Sequence, residues 1–139
     1  MSARTPATLL VVDDDPDLRR TVSLILGADY VVLEARDGQE ALSVIEAKAP
    51  RLVLLDVAMP GMDGLAVLEA VRRMDKRTIF VMLTGEREIS IARRALELGA
   101  VSYITKPFDV DFLRAEIQRL LGEASPVDGE YRPWRVDEP

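Results

Sequence analysis

Leu52-Val53-Leu54-Leu55-Asp56 is a run of four apolar residues that ends on a carboxylate, with Met59-Pro60-Gly61 just beyond it. An unbroken apolar run of this length fits a strand covered on both faces, as in a parallel sheet sandwiched between helices. Pro60 and Gly61 break any continuation. An acid at the carboxyl end of a central parallel strand stands where open α/β sheets carry their chemistry. Its meaning then depends on what other strands deliver to the same edge.

Upstream, Leu9-Leu10-Val11-Val12 reads as a second buried strand, cut off by Asp13-Asp14-Asp15-Pro16. Asp15 suits a helix cap and Pro16 the first helical position, where no N–H is needed. Leu18, Val22, Ile25 and Leu26 recur at helical spacing, and Gly27 ends that helix. Tyr30 to Ala35 is short and β-branched, hence a strand. Asp37 and Glu40 form a capping box for a helix through Ala41, Leu42, Val44 and Ile45, which Pro50 stops.

Downstream, Leu65, Leu68 and Val71 mark a helix, and Thr78 to Leu83 a strand that runs into Thr84-Gly85. Ile89, Ala92, Ala95, Leu96 and Leu98 give another helix, closed by Gly99. Val101 to Ile104 is the last strand, ending at Thr105-Lys106-Pro107, and Phe108 to Leu120 carries the last helix. Five strands alternating with five helices predict a parallel sheet with right-handed crossovers and helices on both faces. From Glu123 the apolar period is lost, so residues 1–122 are expected to form one domain and 123–139 a tail or linker stub.

Composition narrows the chemistry. At 139 residues the chain is one domain, and a net charge of −6 argues against a general nucleic-acid backbone binder. With no Cys there is no thiolate, and with no His neither the commonest general base nor the commonest transition-metal ligand. No signal peptide and no membrane-length apolar run are present, so a cytoplasmic protein without membrane insertion is expected. Chemistry must run on carboxylates, hydroxyls, Lys and Arg.

The strand ends supply that set. Asp13, Asp14 and Asp15 follow one strand, Asp56 ends another, and Thr84 and Lys106 follow the last two. Clustered carboxylates repel, and a hard cation relieves the repulsion; with oxygen ligands alone, Mg²⁺ is the natural choice. A hydroxyl and an ammonium opposite would hold phosphoryl oxygens, leaving Asp56 as the acceptor of an acyl phosphate. Singly, each residue reads as an ordinary cap or turn. Jointly, they read as a phosphoryl-transfer site, although spacing alone does not choose among Asp13, Asp14 and Asp15.

These stretches, together with Met59-Pro60-Gly61-Met62-Asp63-Gly64, Leu83-Thr84-Gly85 and Tyr103 to Phe108, closely resemble the receiver domain of bacterial two-component response regulators. The resemblance covers roughly Thr8 to Leu121. It implies a flavodoxin-like (βα)5 fold with strand order 2-1-3-4-5. It assigns Asp56 as phosphoacceptor and metal ligand, Asp14 as a direct Mg²⁺ ligand, Asp13 as one through water, and the Ala58 carbonyl as another. Thr84 and Lys106 become the phosphoryl-contacting pair, and the Lys106-Pro107 bond is expected to be cis. Thr84 and Tyr103 become the switch, with the fourth helix, fifth strand and fifth helix as output face. Ala58 and Glu86 are expected to tune phosphoaspartate lifetime.

The implied function is a signalling switch that takes a phosphoryl group from a histidine kinase or phosphotransfer protein and is not an enzyme beyond its own phosphorylation and dephosphorylation. A haloacid dehalogenase-type phosphatase is the rival, since Asp13-Asp14-Asp15 contains its Asp-x-Asp spacing; Asp17 stands where that motif expects Thr or Val. A receiver-like interaction domain that takes no phosphate is a third reading, against which stand all the retained site residues. Too few residues follow Leu121 for a helix-turn-helix, so no direct nucleic-acid binding is expected. Tyr131-Arg132-Pro133-Trp134-Arg135 reads as a flexible extension or a docking peptide for a partner. Arg93, Arg94, Glu97, Asp111 and Arg114 are expected on the output helices, as solvated charges or as the rim of a homodimer.

Overall fold

The computed structural model describes residues 5–57, 59, 64–74, 77–85 and 88–122. Five strands and five helices alternate: β1 (Thr8–Val12), α1 (Pro16–Leu26), β2 (Val31–Ala35), α2 (Gly38–Lys48), β3 (Leu52–Asp56), α3 (Gly64–Arg73), β4 (Ile79–Thr84), α4 (Ile89–Glu97), β5 (Ser102–Thr105) and α5 (Val110–Leu120). All strand pairs are parallel, in the order β2-β1-β3-β4-β5. β3 therefore lies at the centre, and all five of its residues are buried. Edge strand β2, paired on one side only, buries Ala35 alone.

Period-two alternation divides each strand between two cores. Leu9, Val11, Leu52, Leu54, Val81, Leu83 and Ile104 pack with Val22 and Leu26 of α1 and Leu113 and Ile117 of α5. Leu10, Val12, Val53, Leu55, Phe80 and Met82 pack with residues of α2, α3 and α4. So α1 and α5 cover one face, and α2 to α4 the other. The same alternation separates the strand-end residues: Asp56 follows Leu52 and Leu54, whereas Thr84 follows Phe80 and Met82.

Local signals explain where helices start and stop. The Asp15 carboxylate accepts from the N–H groups of Asp17 and Leu18, capping α1 at 3.0 and 3.4 Å. Asp37 Oδ1 caps α2 through Glu40 N–H at 2.9 Å. The expected capping box is shifted by one residue, because Glu40 Oε1 accepts from Arg36 N–H at 2.8 Å rather than from the cap. Gly27 ends α1 with right-handed φ −64, so its role is not a left-handed turn.

Pro50 ends α2 by excluding the helical conformation at the residue before it, and Ala49 takes the left-handed region at φ 47. That conformation costs a residue with a Cβ roughly 1–2 kcal/mol. Ala49→Gly is therefore expected to stabilise the fold by roughly 0.5–1 kcal/mol, net of the added freedom of the unfolded chain. A urea midpoint that rises at unchanged slope checks this.

Candidate phosphoryl-acceptor site

The site is built where β1, β3 and β5 end. One carboxylate oxygen from each of Asp13, Asp14 and Asp56 lies within 4.8 Å of the others. Asp13 and Asp56 are almost fully buried, at 1% and 5% exposure, whereas Asp14 is exposed. Lys106 reaches in from beyond β5 and places Nζ 3.0 Å from Asp13 Oδ2 and 3.5 Å from Asp56 Oδ2. The peptide bond that follows it, to Pro107, is cis.

Asp13 is fixed on every side. Its N–H donates to Ala35 O at 3.2 Å and its carbonyl accepts from Arg19 Nη1 at 2.7 Å. Its two carboxylate oxygens accept from Asp15 N–H at 2.9 Å and from Lys106. Arg19 also donates through Nε to Glu34 at 3.0 Å, strapping α1 to β2 across the end of β1. Nothing in the sequence marks Arg19 for this role beyond its place one turn after the Asp15 cap. Asp15 itself is occupied in capping, so of three consecutive acids two remain for the cluster.

Beneath the cluster, α3 comes unusually close. A Cβ on Gly64 would stand 3.0 Å from Asp56 O and 3.2 Å from Val57 Cα. Only glycine allows that approach of the helix start to the Asp56 main chain.

On the α4 side, Thr84 is fully buried and its hydroxyl donates to Gly85 O at 3.0 Å. Tyr103 is half-buried against the core shared with α2 to α4, in register with Met82. Thr84 and Tyr103 thus lie on one face of adjoining strands, and Asp56 on the other. Arg114 lies on α5, as expected, with its Nε 3.9 Å from Asp29 Oδ2 in the turn that follows α1. Ala58 and Glu86, Pro60 to Asp63, and the Trp134 tail lie outside the described residues.

Electrostatics suit a cation-binding pocket. Burial alone would lower the Lys106 pKa, but the Asp13 hydrogen bond and the charges of Asp56 and Asp13 outweigh it and raise it. A raised pKa means that the ammonium's stabilising contribution is complete below the unfolded-state value and lost as pH rises through the folded one. The stability difference between wild type and Lys106→Met is therefore expected to stay flat from neutral pH to about pH 10 and to shrink above it. Denaturant titrations at stepped pH measure this; a difference that already falls between neutral pH and about pH 9 would contradict it.

The all-oxygen donor set fits a hard divalent cation such as Mg²⁺. Lys106 is the counter-cation of Asp13 and Asp56, and exposed Asp14 faces solvent from which an ion would enter. Beside the site a cleft of about 440 Å³ opens between α1 and the start of α5, lined by Asp15, Leu18, Ile25, Lys106 and Phe108 among others. Among the described residues no helix is long and apolar enough to cross a membrane.

Known proteins share the arrangement. Residues 9–118 match the response regulator receiver domain family. The chain is 32% identical over 114 residues to sporulation initiation phosphotransferase F of Bacillus subtilis, covering 81% of this chain and 92% of that one. It is 38% identical over 125 residues to the response regulator MprA of Mycolicibacterium vanbaalenii, covering 89% of this chain and 54% of that protein, so it spans about half of the longer relative. The receiver domain of NtrX from Brucella abortus superposes with a TM-score of 0.78 at 37% identity, over 84% of this chain and 99% of that one. The match covers most of the described sheet and helices in both sequence and fold: the chain belongs to the response regulator receiver domain family, modules of phosphorylation-based two-component signalling rather than enzymes in the usual sense.

Proposed function

We propose that this chain is a phosphorylation-dependent switch in which Asp56 accepts a phosphoryl group from a histidine kinase or phosphotransfer protein. The observation that carries this reading is the convergence of Asp13, Asp14 and Asp56 around one point with Lys106 against two of them. An Asp56 carboxylate oxygen attacks phosphorus in line, a new P–O bond forms, and the bond to the leaving group breaks with its electron pair departing on that group. Lys106 holds a phosphoryl oxygen, and Thr84 takes another after its hydroxyl leaves Gly85 O.

Asp14 and Asp56 would hold Mg²⁺ directly and Asp13 through water, with the Ala58 carbonyl as a further ligand. The ion would offset the charge of the phosphoryl oxygens. On phosphorylation, Thr84 moves and Tyr103 turns inward, changing the surface of α4, β5 and α5 that a downstream protein reads. Their placement on one face of β4 and β5 supports that coupling.

Residues 1–122 are taken as the receiver unit and 123–139 as a tail or linker stub. A homodimer through the α4-β5-α5 face is a state to be sized with and without a phosphoryl mimic. The test of the central reading is incubation with a small phosphodonor and Mg²⁺ followed by intact mass. A gain of one phosphoryl group is expected, and no gain would defeat it.

A further inference from the structure

The peptide of Gly85 is gripped from both sides by one residue. Gly85 N–H donates to Glu88 Oε1 at 3.0 Å, and Gly85 O accepts from Glu88 N–H at 3.1 Å. The same Gly85 oxygen accepts the Thr84 hydroxyl at 3.0 Å. Glu88 immediately precedes α4, yet its carboxylate makes no cap bond to that helix. It is packed so closely over Gly85 that a Cβ there would stand 2.7 Å from Glu88 Oε1.

From this we infer that Glu88 is a positioning residue for Thr84, acting through Gly85 as a clasp that holds the unphosphorylated arrangement. The inference rests on the proposed role of Asp56 and Thr84 and adds what regulates it. The physical argument is a competition for one hydroxyl. Thr84 can bond a phosphoryl oxygen only after leaving Gly85 O. Glu88 keeps Gly85 in place from both sides, its main-chain N–H donating to that oxygen and its carboxylate accepting a charge-assisted hydrogen bond from Gly85 N–H. Because Glu88 leads directly into α4, releasing the clasp frees the helix start in the same step. A two-state element is thereby biased at one residue, and the competent fraction sets the apparent rate of phosphoryl uptake.

Three chains test it: wild type, Glu88→Ala, and Glu88→Gln, which retains a neutral acceptor. Amide exchange at Gly85, without phosphodonor, is expected to quicken about tenfold in Glu88→Ala and less in Glu88→Gln. Phosphoryl uptake from a small phosphodonor is expected to rise about three- to tenfold in Glu88→Ala, with Glu88→Gln between it and wild type. Unchanged Gly85 exchange, or faster exchange with an unchanged or slower uptake rate, would overturn the clasp. A fall in thermal stability without those two changes would mark Glu88 as merely structural and equally overturn it. Should wild type take up no phosphoryl group, the Asp56 reading fails, while Gly85 exchange still decides whether Glu88 holds the loop.

Discussion

Asp56→Asn is expected to take up no phosphoryl group from a small phosphodonor, while remaining folded and at least as stable as wild type. The amide has no anionic oxygen to attack phosphorus, so the loss is complete rather than graded. The stability change has the opposite sign, for a reason visible in the cluster. In the absence of a divalent cation, Asp56 is repelled by Asp13 and Asp14, whose oxygens lie within 4.8 Å of its own, and attracted by Lys106 at 3.5 Å. At an effective dielectric constant of about 20, each repulsion is at least about 3.5 kcal/mol and the attraction about 5 kcal/mol, a balance of about 2 kcal/mol against the carboxylate before screening. Exposed Asp14 is partly screened, so the difference left is about 1 kcal/mol in favour of the variant. Intact mass after phosphodonor treatment and a urea titration without Mg²⁺ measure the two effects. A phosphoryl adduct that survives Asp56→Asn would place the acceptor elsewhere.

Mg²⁺ is expected to raise the stability of wild type, and Asp14→Asn to remove most of that gain. Three carboxylates with one ammonium among them leave negative charge that a hard cation neutralises. A ligand bound only by the folded state adds about 2.7 kcal/mol at a hundred times its dissociation constant. For a domain of this size that is a rise of roughly 6–12 °C in Tm. Asp14 is the exposed member of the cluster, so its carboxylate can turn toward an ion at little cost, whereas that of Asp13 is held by Asp15 N–H and Lys106. Its replacement should shift the Mg²⁺ titration of Tm to concentrations at least about tenfold higher, since one of few charged ligands is lost. Equal Mg²⁺ responses in wild type and Asp14→Asn would remove Asp14 from the metal site.

The reach of the sequence differs from element to element. The apolar runs foretell β1, β3 and β4 because burial on both faces leaves no place for a polar residue in their interiors, and β3 is buried along its whole length. The edge strands β2 and β5 are legible from short β-branched and aromatic runs instead. Helix starts at Asp15 and Asp37 are legible because an N-cap is a local device, made with N–H groups two and three residues away. Arg19 and Glu88 were not legible. Arg19 joins Asp13 O to Glu34, fifteen residues on, and that bond exists only because β2 lies beside β1. Glu88 looks like an ordinary first-turn acid of α4 until its carboxylate is found on Gly85 instead. Arg114 likewise reads as an outward charge of α5, yet it faces Asp29 because α1 and α5 share a face of the sheet.

By itself, the sequence determined the alternation of strand and helix, the absence of His and Cys chemistry, and the presence of acids, a hydroxyl and an ammonium at strand ends. These are properties of composition and period, and they survive without knowing what packs on what. Only the tertiary structure decided which of the acids converge, what anchors Asp13, and on which side of the sheet each group lies. Asp56 and Thr84 end neighbouring strands, yet register and pleat send them to opposite faces, with Lys106 against the first and Gly85 holding the second. A side chain's face depends on its count from the strand's pairing partner, and that count is fixed by long-range register rather than by neighbouring residues.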